Sequence, residues 1–237
     1  ITSFQTGVGN NLTFDGLTNY KRLLTDTTFK KALINTVLFL VIQVPIMILL
    51  ALVISSMLND KKLKFRGVFR TAIFLPCVTS LVAYSIIFKS LFATDGFINS
   101  LLMNLHVISE PISWITHPIW AKILIIIAIT WRWTGYNMVF YLSGLQSIDD
   151  SIYEAANIDG ANRWQKIKNI IWPTIKPTTT ILLIMNLGNV LNSDYTKILL
   201  MQNDTNRSQL EVIGTFVYQK GIVEGKFSYA TAVNLFI

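Results

Sequence analysis

The stretch Glu154-Ala-Ala-Asn-Ile-Asp-Gly-Ala-Asn-Arg-Trp-Gln-Lys-Ile-Lys-Asn-Ile-Ile-Trp-Pro173 is polar and basic, and it stands between two long apolar segments. It reads as a helix, a tight turn and a second helix. Ser147 with Asp150 three residues on has the pattern of an N-terminal capping box, which predicts a short helix running to about Ile158. Asp159-Gly160 supplies the turn, because glycine tolerates the left-handed backbone and aspartate bonds nearby backbone groups. Beyond it Trp164, Ile167 and Ile171 recur at the helical period and make one apolar face, with Arg163, Lys166 and Asn169 elsewhere around the helix. Pro173 is expected to end this second helix.

The residue string itself resembles the EAA loop of membrane subunits of binding-protein-dependent ABC importers: Glu154-Ala155-Ala156, Gly160 after three more residues, then Ile-Ile-Trp-Pro173. Trp172 stands where that family usually has leucine, a larger apolar residue that leaves the pattern intact. The resemblance implies a loop that docks on a cytoplasmic ATPase through Glu154, Ala155, Ala156, Asp159, Gly160 and Ala161. Ala155, Ala156 and Gly160 lack bulk, which suits a close approach of backbone to a partner. The alternative for such an amphipathic stretch is a connector lying on the membrane surface.

Composition points the same way, since 52% of the chain is hydrophobic and 14% is charged, against about 25% charged in soluble domains. The net charge of +7 gathers at particular loops instead of forming one nucleic-acid face. Cys77 stands alone in an apolar run, so no internal disulfide can form. The chain opens on Ile1 and closes at Ile237 inside an apolar run too short to cross a bilayer, from which we expect both ends to be cut.

In chain order, residues 1 to 31 are polar and expected outside the membrane. Spans are expected at 33–58, 69–92, 119–145 and 178–200, with an incomplete one at 227–237. The basic turn Asp60 to Arg66 and the loop 146–177 mark the cytoplasmic side, while residues 93–118 carry no Lys or Arg and belong outside, as does 201–226. Ser208 and Glu211 suggest a capping box for a short outer helix. His106 and His117 have no carboxylate or thiol at ligand spacing, so no metal site is expected.

Polar residues inside the spans are the candidate pathway. Asn186, Asn189 and Ser193 share a helical face, Asn192 adds polarity nearby, and Tyr136-Asn137 lie on the preceding span; amides both donate and accept, and an aromatic ring can cover a sugar face. Hydrogen bonding between spans is the competing reading of the same residues. Arg132 near mid-span must face protein or water, either locking the bundle or lining a pathway.

With these segments placed, further strings extend the resemblance over nearly the whole chain: Gly16-Leu-Thr-Asn-Tyr20, Arg70 with Phe74-Leu-Pro76, Ile112-Ser-Trp114, Gly135-Tyr-Asn137, Gly144 to Ile148 and Phe227 to Ala232. Together they are similar to carbohydrate ABC importer permeases of the maltose or multiple-sugar type, with features of the oligosaccharide and polysaccharide branch. Gln202-Asn-Asp-Thr205 replaces the Gly-Gly-Pro turn frequent there. The resemblance implies an all-α, polytopic transmembrane bundle of the type I importer fold, with one permease domain over 1–237 and about six spans in the full protein. It also implies a multi-pass subunit of the bacterial cytoplasmic membrane, not itself an enzyme. ATP and Mg would sit on a separate ATPase dimer. The other implied partners are a second homologous permease, an extracellular or periplasmic solute-binding protein, a carbohydrate substrate and membrane lipids, with no nucleic acid. A secondary transporter would need coupling carboxylates within the spans, where only Asp194 lies near one; a non-sugar importer of the same class is the nearer alternative. No Gly-rich phosphate loop or acid pair is present for chemistry on the substrate.

Overall fold

A computed structural model describes residues 2–8, 11–60, 63–192 and 195–236. A hairpin of β1 (Gln5–Val8) and β2 (Asn11–Phe14) pairs antiparallel, with Gln5 opposite Phe14. The helices among the described residues begin with α1 (Thr18–Thr25), α2 (Thr27–Leu58), α3 (Arg66–Val78), α4 (Leu81–Leu91), α5 (Phe97–Asn104), α6 (Pro118–Gln146) and α7 (Asp150–Ile158). There follow α8 (Arg163–Lys166), α9 (Trp172–Asn192), α10 (Tyr195–Met201), α11 (Arg207–Leu210), α12 (Ile213–Tyr218) and α13 (Phe227–Phe236). Two π-helical stretches, Ile167–Ile171 and Gln219–Val223, lead into α9 and out of α12.

Among the described residues, α2 and α6 are each long and apolar enough to cross a membrane, and α3 with α4 makes a third candidate if the pair counts as one broken span. At 32 residues, α2 extends about 48 Å at 1.5 Å per residue, more than a hydrocarbon core of about 30 Å. Its side chains Ile34, Val41, Leu49, Val53 and Met57 are exposed, as a lipid-facing stripe requires. The expected spans differ in one place: the segment 69–92 is interrupted at Thr79-Ser80. Within 178–200 the described residues are helical up to Asn192 and from Tyr195, and Ser193 and Asp194 lie outside the described residues.

The chain clusters into two compact units. One comprises residues 1–41, 81–126 and 188–237. Its core joins Leu23, Phe29 and Ala32 to Ile213, Phe216, Tyr229 and Val233. Asp26 caps α2 by accepting from the Thr28 and Phe29 amides, and its second carboxylate oxygen accepts from the Tyr229 hydroxyl at 2.9 Å. Buried Asn35 donates to the carbonyls of Gln209 and Glu211, and the Ile213 amide donates to Thr36 Oγ1. This pinning explains why the expected capping box at Ser208 does not form. Ser208 lies within α11, and the helix that follows is started by Thr215, whose hydroxyl accepts from the Val212 amide at 3.0 Å. In the 93–118 segment, Asn99 donates to the carbonyls of Ala93, Thr94 and Ile112 and accepts from the Ile112 amide and the Trp114 indole. One side-chain amide thus pairs four backbone groups of this segment.

The second unit comprises residues 42–80 and 127–187. Here α6 meets α3 at Gly135, where an added Cβ would stand 2.1 Å from the Ile73 carbonyl oxygen, so only glycine permits the approach. On its other side α6 meets α9, through a Tyr141 hydroxyl hydrogen bond to Thr179 Oγ1 at 3.0 Å.

Burial holds the Glu211 carboxyl above the usual carboxylate range; Arg207 and Lys220 nearby pull it down less than burial pushes it up, and Asp26 and Glu224 push the same way as burial. The folded state therefore binds this proton more tightly than the unfolded chain, and stability is lost as pH rises from about 4.3 through the folded value. Glu211→Gln removes that loss. Thermal denaturation of the purified protein should show the variant more stable than wild type at pH 7.5, with the gap closing towards pH 4; a lower melting temperature at pH 7.5 contradicts the assignment.

Candidate functional site

The loop between α6 and α9 is built by two N-caps, the second of them reciprocal. Asp149, not Ser147, starts α7: its carboxylate accepts from the Ser151 amide at 2.9 Å, and that bond draws its pKa below the usual range. The Ser147 hydroxyl instead donates back to the Gly144 carbonyl. Along α7, Tyr153 is half-buried, and burial followed by the Asp150 charge raises its pKa.

The end of α7 explains the Ala and Gly positions. The Ala161 amide donates to the Ala156 carbonyl at 2.9 Å and the Gly160 amide to the Asn157 carbonyl at 3.1 Å, while Gly160 has φ of +70°. This is the Schellman arrangement, in which the left-handed residue lets two otherwise orphaned carbonyls be satisfied. The Asn162 amide then donates to Gln165 Oε1 at 2.8 Å and the Gln165 amide to Asn162 Oδ1 at 2.9 Å, a capping box that opens α8. That box was legible as Asn-x-x-Gln directly after the turn. Lys166 donates to the Asn157 side chain and ties the two helices together.

Pro173 does not end the second helix. The preceding five residues widen into a π turn, the Trp172 amide reaches the Ile167 carbonyl, and α9 starts at Trp172 with Pro173 in its first turn. The π turn and α9 run on through Trp172, and Pro173 lacks the amide that would add the next bond of that ladder.

Glu154, Ala155, Asp159 and Gly160 are exposed, and Ala156 and Ala161 are half-buried. Beside them Ile158 is 86% exposed. A large apolar tip on a polar loop is the mark of a surface that a partner covers. The charges are segregated too: Asp149, Asp150, Glu154 and Asp159 lie in the first half, and Arg163, Lys166, Lys168 and Lys176 in the second.

Within the second unit, Arg132 is 6% exposed and its guanidinium donates to the carbonyls of Pro76, Cys77 and Thr79 and to Thr79 Oγ1, at 2.8 to 3.2 Å. It caps the C-terminal end of α3, where positive charge also complements the helix dipole. Of its two open readings, the locking one has this geometry behind it. Asn137 is fully buried, donates to the Trp133 carbonyl, and accepts from Asn186 Nδ2 at 3.0 Å; Asn186 also donates to the Leu182 carbonyl. These two asparagines, expected near each other, do come together. Tyr136 is half-buried in an edge-to-face aromatic run with Trp133 and Phe140, at 5.3 and 5.0 Å between centroids. Asn189 is exposed on α9. Ser193 and the side chain of Asn192 lie outside the described residues. Among the described residues no cluster of three His, Cys, Asp or Glu could hold a metal.

Residues 61–194, which contain this loop and the polar helix faces, match the family described as binding-protein-dependent transport system inner membrane component. The chain belongs to that family. The lactose transport system permease protein LacF of Rhizobium radiobacter is 58% identical over 177 residues, an alignment that takes in 75% of this chain and 59% of LacF. The chain thus spans less than two thirds of LacF. The arabinooligosaccharides transport system permease protein AraP of Bacillus subtilis (strain 168) is 33% identical over 242 residues, covering 99% of this chain and 75% of AraP. The permease fold is similar to that of a bacterial ABC transporter involved in the import of the acidic polysaccharide alginate, at 30% identity and a TM-score of 0.83, covering 93% of this chain and 77% of that one. The same values hold for the alginate transporter in complex with its alginate pentasaccharide-bound periplasmic protein.

The Arg132 fork carries a testable consequence for the stability of this chain. Arg132→Met strands several carbonyls in an apolar setting, at about 1–3 kcal/mol for each one left unpaired, and should lower the melting temperature of the purified protein. Arg132→Lys should recover part of the loss, because an ammonium cannot reproduce the planar fork. Equal melting temperatures for wild type and Arg132→Met would exclude the capping role.

Proposed function

We propose that this chain is the membrane-spanning subunit of an ATP-driven, binding-protein-dependent importer that moves a sugar or short oligosaccharide across the bacterial cytoplasmic membrane by alternating access. The observation that carries the reading is the loop of α7 and α8: a doubly capped, rigid helix pair that presents Ala155, Gly160 and the exposed Ile158. We assign Glu154, Ala155, Ala156, Asp159, Gly160 and Ala161 to docking on a cytoplasmic ATPase dimer, which would bind ATP and Mg. A second homologous permease and a solute-binding protein complete the assembly. The permease subunit itself performs no chemistry on its cargo.

Saccharide names recur among the relatives, and the polar groups of the spans suit a neutral cargo. Asn137, Asn186 and Asn189 offer amides and Tyr136 an aromatic face, whereas the guanidinium of Arg132 is engaged by α3 carbonyls. A neutral disaccharide such as lactose is therefore the first candidate, ahead of an acidic glycan.

Coupling is tested at Ala155, which is exposed and helical, so a larger side chain there meets nothing within the chain's own helix pair that it must displace. Ala155→Trp, assembled with its ATPase and binding protein in proteoliposomes, should lose at least about tenfold in sugar uptake, the effect of about 1.4 kcal/mol of lost docking. Normal uptake and normal substrate-stimulated ATP hydrolysis by the assembled variant would remove this loop from coupling.

The pathway is tested by contrast between two asparagines. Asn137→Ala should lower thermal stability by about 0.6 kcal/mol, the average for a polar pair between membrane helices. Asn189→Ala should leave stability unchanged and reduce uptake or alter sugar preference. If Asn189→Ala transports like wild type, the path lies elsewhere.

A further inference from the structure

A groove of about 600 Å³ opens in the second unit between the C-terminal half of α2 and the segment that runs from α7 into α9. Leu49, Val53 and Met57 of α2 form one wall, and Trp164, Ile171 and Trp172 the other. Leu49, Val53, Met57, Trp164 and Trp172 are all exposed, so the groove is a wet apolar trough in the isolated chain. One full charge lines it, the ammonium of Lys166. Its hydrogen-bond partner is the neutral amide of Asn157, and among the described residues no carboxylate stands within ion-pair distance of it. In sequence, residues 163–177 also contain Arg163, Lys168 and Lys176 and no acid.

We propose that this groove binds an anionic phospholipid, with an acyl chain lying along α2 and its phosphate on Lys166. Three physical features select that occupant over a bare apolar surface patch. An acyl chain fills a trough walled by leucine, valine, methionine and isoleucine side chains at a gain of about 0.8 kcal/mol per buried methylene. Tryptophans at one rim, Trp164 and Trp172, are the side chains that favour the headgroup level of a bilayer. The net positive charge of 163–177 complements a phosphodiester that carries no compensating choline or ethanolamine, and basic pockets beside membrane helices on the cytoplasmic side bind such headgroups. The lipid would thereby brace α8 and the π turn against α2, the segment through which the loop is joined to α9. The site is distinct from the docking residues at the tip of α7, and its readout below is independent of uptake.

The assembled importer is reconstituted into vesicles of equal phosphatidylglycerol and phosphatidylcholine in which one or the other carries brominated acyl chains. The quenching assigned to Trp164 is taken as the difference from a Trp164→Phe variant. Brominated phosphatidylglycerol should quench Trp164 with a roughly fivefold preference over brominated phosphatidylcholine. Lys166→Gln should abolish the preference, and Lys166→Arg should retain it. Lys64→Gln, which removes an exposed charge from the basic turn outside the groove, should also retain it. Equal quenching by the two lipids in wild type overturns the proposal. So does loss of the preference in Lys64→Gln, which would make it a property of the general surface charge, and so does the absence of quenching by either lipid, which would mean that a protein segment fills the groove.

Discussion

A helix that stops within an apolar region leaves its last carbonyls without water to donate to them, and in this chain the guanidinium of Arg132 donates to those at the end of α3. Much of the second unit follows from that one fork. It permits the chain to break at Thr79-Ser80 between α3 and α4, and it fixes the height at which α6 stands against α3. Three residues further along α6, Gly135 brings the two helices so close that the Ile73 carbonyl occupies the space of a Cβ. Asn137, Tyr141 and Gly144 follow on the same helix, and the first two bond α9. A buried charge that would be a liability in lipid therefore becomes the datum from which a three-helix packing is measured.

The loop that carries the coupling assignment is held by backbone chemistry and not by a core. Asp149 opens α7, a left-handed Gly160 closes it, and the Asn162–Gln165 pair opens α8 within a few residues. Such a construction keeps a short helix pair ordered while its apolar side chains Ile158 and Trp164 stay free for other surfaces. The π turn at Ile167–Ile171 then passes the chain into α9 without a break despite Pro173. The loop is thus continuous, helix on helix, with the segment that bears Asn186 and Asn189, so displacement of one can move the other.

Several local patterns were readable in the residues and several were not. Glycine at 160 was legible because no other residue takes a left-handed turn at so little cost, and Asn137 and Asn186 were legible as polar residues of consecutive spans, for which hydrogen bonding between spans was one of two readings. The starts of helices were misplaced where two candidate caps compete. Ser147 and Asp149 both precede α7, and the carboxylate wins because it accepts more strongly than a hydroxyl. Ser208 lost its role because Asn35, 173 positions upstream of it, claims the Gln209 and Glu211 carbonyls, a contact that no local window contains.

The sequence by itself determined that this chain is helical with membrane-length apolar segments, and it carries the motif of the transport-system inner membrane components, since apolar length and a small-residue turn are local properties of the string. Only the tertiary structure decided what Arg132 does, why Gly135 must be glycine, where the expected second span breaks and how Pro173 sits inside a continuous helix. Each of those depends on which backbone groups of a distant segment are left needing a partner, and the satisfaction of a buried carbonyl is settled in space, not along the chain.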